Sequence, residues 1–229
     1  IIIRSPKLNY PTMDIVPSTL QLDETEIDLT STNLGDPIKS EWNKRSLICK
    51  WISNNNLEAQ YDYIIFDCPP ATKLVTQNAI AASHGFITPV IPEAISIRGV
   101  PHLVGSVMNK IDMKFGGLAD FLTAKGERIP SSYVRNTQFL GIVISKIKEH
   151  GMAHSGYTSG QTGHLYQLQR TFRQYIIDPY IVEGVGVPEC LTAGDPVYDH
   201  ADWQNVSNRN FPELFQNLVF NIKSRIDSI

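Results

Sequence analysis

Residues 61–70 have the sequence YDYIIFDCPP, and this stretch constrains the fold more than any other. The apolar run of residues 63–66 shows no alternation with polar residues, which is typical of a parallel strand buried on both faces. Asp67 follows the run directly, and Pro69 and Pro70 prevent the strand from continuing. The stretch therefore predicts a buried strand with a carboxylate at its C-terminal end.

Strand patterns and helix patterns alternate along the rest of the chain. Further unbroken apolar runs predict strands, and apolar residues at helical spacing predict helices. The predicted strands span 86–91 and 139–144; the predicted helices start at Asp36-Pro37 and stop at 54–56, run from 74 to 85, from about 101 to 114 and from about 165 to 175, and begin at Asn210. This alternation predicts an α/β fold, with a doubly wound and mostly parallel sheet and helices on both faces. We expect one domain over residues 1–229, with surface insertions at 115–137 and 151–163.

Composition excludes several classes of protein. The 229 residues are 42% apolar and carry a net charge of −3, which excludes a disordered chain and argues against a protein that coats nucleic acid. The three cysteines form no C-x-x-C pair and the six histidines lack the spacing of metal ligands, so zinc, iron–sulfur and disulfide-based folds lack support. No apolar run approaches the length of a membrane helix. The chain starts at Ile1 rather than at Met, which favours a fragment.

Asp67 is the first candidate for chemistry. In doubly wound sheets, ligands bind beyond the carboxyl ends of the strands, where this carboxylate is predicted to lie. An acid in that position can hold Mg²⁺ through its water shell beside the phosphates of a nucleotide. The alternative is a strand-end Asp that caps the following helix, and the pattern alone leaves both interpretations open.

Residues 61–93 resemble the ParA/MinD-type deviant Walker ATPases, and among them the ParA partition branch most closely. That branch typically has an Asp-Cys/Thr-Pro-Pro turn, a Thr-x-Asn-Ala segment in the next helix and a strand ending in Pro-Val-x-Pro-Glu. The chain has all three in this order, at 67–70, 76–79 and 89–93. Weaker matches are a Pro-Ser turn leading into a helix at 15–29 and a late Glu-x-x-x-x-Gly-x-Pro-Val loop at 185–199.

The resemblance implies a P-loop NTPase-like fold and an ATP-dependent partition protein. Such proteins bind ATP with Mg²⁺, form a homodimer face to face around the nucleotide and hydrolyse it slowly. The ATP-bound dimer binds DNA without sequence preference, and a ParB-like partner protein stimulates hydrolysis. The resemblance further implies a cytoplasmic, nucleoid-associated protein.

The resemblance also assigns roles to residues of this chain. Asp67 would act in catalysis by positioning Mg²⁺ and its waters, and Pro69-Pro70 would sense the γ-phosphate. Lys146, after the third predicted strand, would contact the nucleotide, and a solvated strand-end Lys is the alternative. The late loop adds the candidate nucleotide-binding residues Pro188 and Glu189.

The chain departs from the family where the phosphates bind. The family holds them with a Gly-rich loop that has a Lys at each end, and no such sequence occurs in the 229 residues. The Gly-rich stretch 156–163 has no Lys and predicts a mobile surface loop, and Glu183 stands where relatives often carry Arg. We therefore expect that the N-terminal strand–P-loop–helix unit is absent from this chain and that the chain alone is inactive.

Two surfaces are candidates for contacts with larger partners. One is a DNA-binding patch that a dimer would assemble from Arg170, Arg173, Lys223 and Arg225, and scattered solvated charges are the alternative. The other is the last helix, whose broad apolar stripe and few basic residues favour docking on the core over a membrane anchor. No stable membrane association is expected.

Other functions stay open at this point. A degenerate relative would keep the fold for dimerisation or partner binding without catalysis, and a Lys-bearing P-loop upstream in the full-length gene would exclude it. A MinD-like positioning ATPase and an amidoligase of cobalamin synthesis are alternatives among P-loop enzymes. Recruitment to liposomes in the presence of ATP would favour the MinD-like function.

Overall fold

A computed structural model describes residues 2–6, 10–19, 21–33, 35–69, 71–149, 156–184, 186–194, 196–198 and 210–229. The chain forms two compact units, the first of residues 1–82 with 117–133 and the second of residues 83–116 with 134–229. Each unit has its own set of buried side chains. The single domain over residues 1–229 stays a prediction.

The first unit combines a short hairpin with helices. The hairpin pairs β1 (Ile3–Arg4) with β2 (Asp14–Ile15) in antiparallel fashion. The helices are α1 (Gln21–Ser31), α2 (Pro37–Arg45), α3 (Leu47–Asn54) and α4 (Leu74–Ala81), and a 3-10 turn spans Leu57–Ala59. The buried apolar side chains come mainly from α2, α3 and α4: Trp42, Cys49, Ile52, Leu57, Leu74, Ala79 and Ile80.

The helix start predicted at Asp36-Pro37 is confirmed. Asp36 Oδ1 accepts hydrogen bonds from Ile38 N at 2.8 Å and from Lys39 N at 3.2 Å, and Pro37 occupies the first turn of α2. The amides of Lys39 and Ile38 lower the pKa of the Asp36 carboxyl, because they stabilise its ionised form. The predicted stop is also confirmed, since α3 ends at Asn54 and the left-handed Asn56 turns the chain away. The single helix predicted between these ends is wrong, because the chain forms two helices, α2 and α3, with a break at Ser46.

The second unit is built on a parallel sheet. Its strands are β3 (Gly85–Val90), β4 (Gln138–Ile144) and β5 (Ile176–Ile177), in the order β3-β4-β5. The accompanying helices are α5 (Ala94–His102), α6 (Asn109–Ala124), α7 (Ser159–Phe172), α8 (Gly186–Ala193) and α9 (Phe211–Ile226), and a π-helical segment (Leu103–Met108) joins α5 to α6. Residues 117–124 of α6 belong to the first unit.

The sheet is covered on both faces, as an unbroken apolar strand requires. On one face Ile142 and Ile144 of β4 belong to the same buried cluster as Leu168 of α7. On the other face Val143 clusters with Phe211 of α9. Because neighbouring residues of β4 serve opposite faces, the strand needs no polar positions. The predicted α/β fold with a parallel sheet and helices is confirmed.

Gly141 permits a close approach beside β4. A Cβ atom built on it would lie 2.4 Å from the Tyr175 carbonyl oxygen and 2.8 Å from the Ile177 side chain. Its φ of 156° is also one that residues with a side chain seldom adopt. A side chain at this position would therefore separate β4 from the chain leading into β5.

The strand predicted at residues 63–66 is wrong. Residues 61–69 have no helical or strand assignment, and they pair with none of the described strands. Ile65 is 86% exposed and Ile64 is 38% exposed. An apolar run indicates that a segment is suited to burial. A strand also needs a neighbouring strand with which its backbone groups exchange hydrogen bonds.

Other predicted boundaries also differ. α4 ends at Ala81 rather than at 85, and Gly85 begins β3. Gly116-Gly117 do not end a helix, because the buried side chains of Phe115 and Ala119 on either side keep α6 in place and outweigh the cost of about 1 kcal/mol per helical Gly. The mobile loop predicted at 156–163 is wrong from Ser159 onward, where α7 begins. The late loop is wrong over Gly186–Ala193, which forms α8.

The last helix begins as predicted. Asn210 Oδ1 accepts from Glu213 N at 3.4 Å, and Phe211 and Leu218 are buried. None of the helices in the described parts of the chain is long and apolar enough to cross a membrane.

Candidate functional site

The Asp67 turn, residues 67–69 and 71–73, joins the exposed apolar segment to α4 in the first unit. Asp67, Cys68 and Pro69 are exposed, and Ala71 N donates to the Pro69 carbonyl oxygen at 2.7 Å. The Asp67 carboxylate is therefore open to solvent and to ligands. Pro70, the other predicted γ-phosphate sensor, lies outside the described residues.

A single carboxylate in such a turn suits one type of cation. Within the described ranges there is no group of three or more His, Cys, Asp or Glu that could hold a metal ion. Mg²⁺ commonly keeps several waters and uses one or two carboxylates together with the phosphates of its nucleotide. Asp67 fits that donor set, whereas it does not provide an all-protein metal cage.

Cys68, the neighbour of Asp67, is not an activated nucleophile. Partial burial, and secondly the Asp67 carboxylate, raise the pKa of its thiol, which is therefore protonated at neutral pH. Cys49 and Cys190 are buried, and burial raises the pKa of Cys49 to about 12. The chemistry available in the turn is consequently that of the Asp67 carboxylate.

The helix that follows the turn is capped by Glu26 of α1. Lys73 occupies the N-cap position of α4 and its side chain makes no capping hydrogen bond. Glu26 is only 7% exposed, and its Oε1 accepts from Val75 N at 2.9 Å, while its Oε2 lies 4.0 Å from Lys73 Nζ. Capping of the next helix was the alternative role for Asp67. At the Val75 amide, Glu26 rather than Asp67 performs that capping.

Asn78 explains the Thr-x-Asn-Ala segment of the sequence. Its side chain is 5% exposed and lies where α2, α3 and α4 meet. Oδ1 accepts from Leu47 N at 2.8 Å and from Ile48 N at 3.4 Å, and Nδ2 donates to Lys44 O at 2.8 Å and to Leu74 O at 3.0 Å. One side chain therefore caps the start of α3 and satisfies a carbonyl at the end of α2.

The start of the apolar segment is tied to the hairpin. Tyr61 Oη donates to Asp14 Oδ2 at 2.5 Å, and Arg4 NH1 donates to the same carboxylate at 2.7 Å. The hydrogen bond from Tyr61, the amide of Ser5 and the Arg4 side chain together lower the pKa of Asp14, and the same bond raises the pKa of Tyr61. The segment of residues 61–66, which leads to Asp67, is thus anchored to the hairpin through Tyr61.

Lys146 lies in the second unit, immediately beyond β4. It adopts a left-handed φ of 52°, and its side chain is exposed. Gln161 of α7 binds the backbone of residues 146–148. Its Nε2 donates to Lys146 O at 3.3 Å, and its Oε1 accepts from Lys148 N at 2.6 Å. The buried Gln161 gives a reason why the Gly-rich stretch is helical from Ser159 onward.

The other predicted nucleotide contacts also lie in the second unit. Pro188 and Glu189 are exposed and belong to the first turn of α8, which ends before the left-handed Gly194. Glu183, which stands in place of an Arg, lies 3.9 Å from Lys148 Nζ through its carboxylate. The described nucleotide-site candidates are thus divided, with Asp67 and Pro69 in the first unit and Lys146, Pro188 and Glu189 in the second.

A cavity of about 470 Å³ lies beyond the carboxyl ends of β4 and β5 in the second unit. Its lining combines carboxylate, phenol, carboxamide and apolar groups: Glu149, Tyr157, Pro179, Tyr180, Val182, Asn210, Glu213, Leu214 and Asn217. None of these side chains is cationic, so the described lining does not suit phosphate groups. Its carboxylates and carboxamides suit a ligand that donates hydrogen bonds.

The four basic residues of the predicted DNA-binding patch have different surroundings. Arg170 and Arg173 are exposed at the end of α7 and just beyond it. Lys223 is paired with Asp227 in the last turn of α9. The Arg225 guanidinium donates to three backbone carbonyl oxygens, those of Leu140 at 3.2 Å, Gln174 at 2.8 Å and Ile176 at 3.5 Å. Arg225 therefore has a structural role in the second unit.

Comparison with known proteins assigns the chain to a family. A family profile described as an AAA domain matches residues 1–115, half of the chain. The chromosome partitioning protein ParA of Myxococcus xanthus is 30% identical over 196 residues, which are 86% of this chain and 56% of that protein. The chain belongs to the ParA-type family of Walker ATPases.

Other ParA-type proteins match parts of the chain. The sporulation initiation inhibitor protein Soj of Bacillus subtilis is 36% identical over 95 residues, which are 42% of this chain and 33% of Soj. The structure of apo McdA from Cyanothece superposes with a TM-score of 0.60 at 15% identity, over 93% of this chain and 68% of McdA. At this identity the likeness shows a shared fold alone. The ParA-type chain thus spans between a third and just over half of the length of Soj and of the M. xanthus ParA.

Two buried residues of this ParA-type chain escape sequence reasoning. Glu26 lies 49 residues from the amide it caps, and Asn78 lies 31 residues from Leu47. Local patterns carry no trace of pairs so far apart. The available sign for Asn78 was the Thr-x-Asn-Ala segment itself, which marks the position without giving its role.

Proposed function

We propose that this chain is part of an ATP-dependent partition ATPase. The observation that carries the proposal is the exposed Asp67 carboxylate, set in a proline turn directly ahead of a helix that is held on several sides. Membership of the ParA-type family supports it, as does the chromosome partitioning protein among the relatives.

The proposed reaction is Mg²⁺-dependent hydrolysis of ATP. Asp67 holds the cation through water, and Pro69-Pro70 sense the γ-phosphate. When bound, Mg²⁺ neutralises charge on the phosphates and orients them for in-line attack. Lys146, Pro188 and Glu189 keep the nucleotide-binding roles that the resemblance implies, and the single domain over residues 1–229 is part of this proposal.

The phosphate-binding loop is proposed to lie outside these 229 residues. The chain has no Gly-rich loop that carries a Lys, and Glu183 stands where an Arg would help to neutralise the phosphates. The 229-residue chain alone therefore binds ATP weakly and does not turn it over. Micromolar affinity for ATP, measured by titration calorimetry on this chain, would contradict that part of the proposal.

Dimerisation and DNA binding complete the proposal. A nucleotide-dependent homodimer binds DNA without sequence preference, and a ParB-like adaptor protein stimulates hydrolysis and release, in the cytoplasm on the nucleoid. Arg170, Arg173 and Lys223 are the better candidates for DNA contacts, because the Arg225 guanidinium is engaged with backbone carbonyl oxygens. Binding should weaken with salt by about 0.9 in log–log slope per phosphate contacted.

The test uses the full-length protein and a pair of Asp variants. Asp67→Ala should abolish Mg²⁺-dependent release of phosphate from ATP, whereas Asp62→Ala, five positions upstream and also exposed, should retain it. Circular dichroism checks that both variants fold. Normal turnover in Asp67→Ala would remove this residue from the mechanism.

Two outcomes would favour the alternative functions. Absence of turnover in the folded wild-type full-length protein, with and without DNA, would favour a non-catalytic relative that serves dimerisation or partner binding. Pelleting with liposomes in the presence of ATP would favour a MinD-like positioning ATPase.

A further inference from the structure

α1 is held in the first unit by charge more than by apolar contact. Among its described side chains Glu26 is buried, Leu29 is half-buried, and Ile27 is 68% exposed. Near the other end of the helix Lys44, which is 7% exposed, donates to Thr30 O at 3.4 Å. Two buried ionisable side chains thus provide polar anchors for a helix that carries little buried apolar surface.

The contact made by Glu26 meets an unfilled need of α4. The first amides of a helix have no partner within the helix, and a side-chain acceptor or carboxylate there is stabilising. Lys73 in the N-cap position has no acceptor to offer, and Glu26 Oε1 supplies it to Val75 N at 2.9 Å. The start of α4 therefore depends on a residue from another helix.

The Asp67 turn ends at this same helix start. Gln77 Nε2 donates to Thr72 O at 2.9 Å, so the end of the turn is bound to the first two turns of α4. Only five residues separate Asp67 from Lys73. A shift in the first turn of α4 consequently reaches the carboxylate over a short stretch of chain.

We propose that Glu26 is a positioning residue, which fixes the start of α4 and with it the Asp67 turn relative to α1. Its effect on catalysis rests on the proposed role of Asp67, whereas its effect on the turn does not. A displacement of α1 removes the carboxylate from Val75 N, and the turn loosens. α1 thereby controls how well the Asp67 carboxylate is held in place.

Cys68 provides a probe inside the turn. It is exposed, whereas Cys49 and Cys190 are each 0% exposed, so a thiol reagent applied to the folded 229-residue chain reports on Cys68. We expect Glu26→Ala to speed the reaction of Cys68 with Ellman's reagent about tenfold, because loosening of the turn opens it locally. Glu24→Ala, an exposed position on the same helix, is the matched control and should leave the rate unchanged.

The pattern of labelling separates positioning from general destabilisation. Global unfolding would expose Cys49 and Cys190 together with Cys68, whereas a loosened turn exposes Cys68 alone. Glu26→Gln should give an intermediate rate, since its amide oxygen can still accept from Val75 N. Equal rates in Glu26→Ala and Glu24→Ala would overturn the proposal, and so would labelling of Cys49 and Cys190 in parallel with Cys68. If Glu26→Ala does not fold, the labelling rate of Cys68 in Glu26→Gln decides.

The functional arm uses the full-length protein. The Mg²⁺ concentration for half-maximal ATP turnover should rise about fivefold or more in Glu26→Ala and be partly restored in Glu26→Gln, because the cation is held by a less well-placed carboxylate. An unchanged Mg²⁺ requirement would refute the effect on the site. If the wild-type protein has no ATP turnover, the proposed function fails, while the Cys68 measurements still decide the role of Glu26 in the turn.

Discussion

Replacing Asn78 by Ala removes the contact on which three helices converge. Oδ1 no longer accepts from Leu47 N, and Nδ2 no longer donates to Lys44 O, two bonds that are each 2.8 Å long. Leu74 O loses a second donor but remains within its helix, and the bond from Ile48 N is already long at 3.4 Å. The substitution therefore leaves one donor, Leu47 N, in a partly buried position and one acceptor, Lys44 O, in a buried position without their partner.

The magnitude follows from these two groups. An amide or carbonyl left buried without a partner costs about 1–3 kcal/mol. For Leu47 N and Lys44 O together, the free energy of unfolding should fall by about 2–4 kcal/mol, because part of the cost is recovered where water enters the space left by the side chain. In a chain of this length each kcal/mol corresponds to about 2–4 °C in Tm.

The assay is urea unfolding of the 229-residue chain, followed by far-ultraviolet circular dichroism. Asn109→Ala is the matched control, because Asn109 is exposed and its Nδ2 donates, among the described residues, to Gly105 O alone, at 3.0 Å and one helical turn away. That variant should change the free energy of unfolding by no more than about 0.5 kcal/mol. A loss below about 1 kcal/mol for Asn78→Ala, or one equal to that of the control, would refute the junction role derived from the four hydrogen bonds.

Three further substitutions test other contacts. Gly141→Ala should lower the free energy of unfolding by about 2 kcal/mol or more through overpacking, whereas Gly99→Ala, a helical position with open space, should be neutral or stabilising by up to about 1 kcal/mol. Arg225→Met should cost about 1–3 kcal/mol, because three carbonyl oxygens lose their donor, and differential scanning calorimetry checks it. The pKa of Asp14 is lowered in the folded chain, so its contribution to stability is present above its ordinary pKa of 3.8 and is lost as the pH falls. Asp14→Asn should therefore weaken the acid dependence of urea unfolding.

Each of these predictions has an outcome that contradicts it. Equal free energies of unfolding for Gly141→Ala and Gly99→Ala would contradict the close approach of the chain at Gly141. For Arg225, a loss no greater than that of Lys223→Met, whose ion pair is exposed and worth about 1 kcal/mol at most, would show that the carbonyl bonds contribute little. An unchanged acid dependence in Asp14→Asn would refute the sign derived from its pKa.

Local pattern was sufficient where the structure is decided locally. The runs at 86–91 and 139–144 form strands. Asp36 and Asn210 mark helix starts, because a capping side chain lies within three residues of the amide from which it accepts a hydrogen bond. The run at 63–66 is as apolar as those strands but forms no strand. Pairing with a neighbouring strand is a property of the fold rather than of the segment.

The candidate site was predictable in part for the same reason. Asp67 was found because an acid after an apolar run and before two prolines is a local pattern. Its support was not found, because Glu26 reaches Val75 N across 49 positions and no periodicity links them. The Gly-rich stretch at 156–163 misled because its composition favours a loop, whereas the buried Gln161 bonds to the chain beyond β4 and holds the stretch in place.

These contacts separate two kinds of residue within the motif that identifies the family. Asn78 is fully occupied by backbone groups of α2, α3 and α4, so it has no hydrogen-bonding capacity left for a ligand. Asp67 is exposed, and Glu26 rather than Asp67 caps Val75 N. Loss of Asn78 should therefore reduce activity in proportion to the loss of folded protein, whereas loss of Asp67 should reduce activity and leave the unfolding curve in place. If both variants lost stability and activity together, the division between a supporting helix and a reactive turn would be wrong.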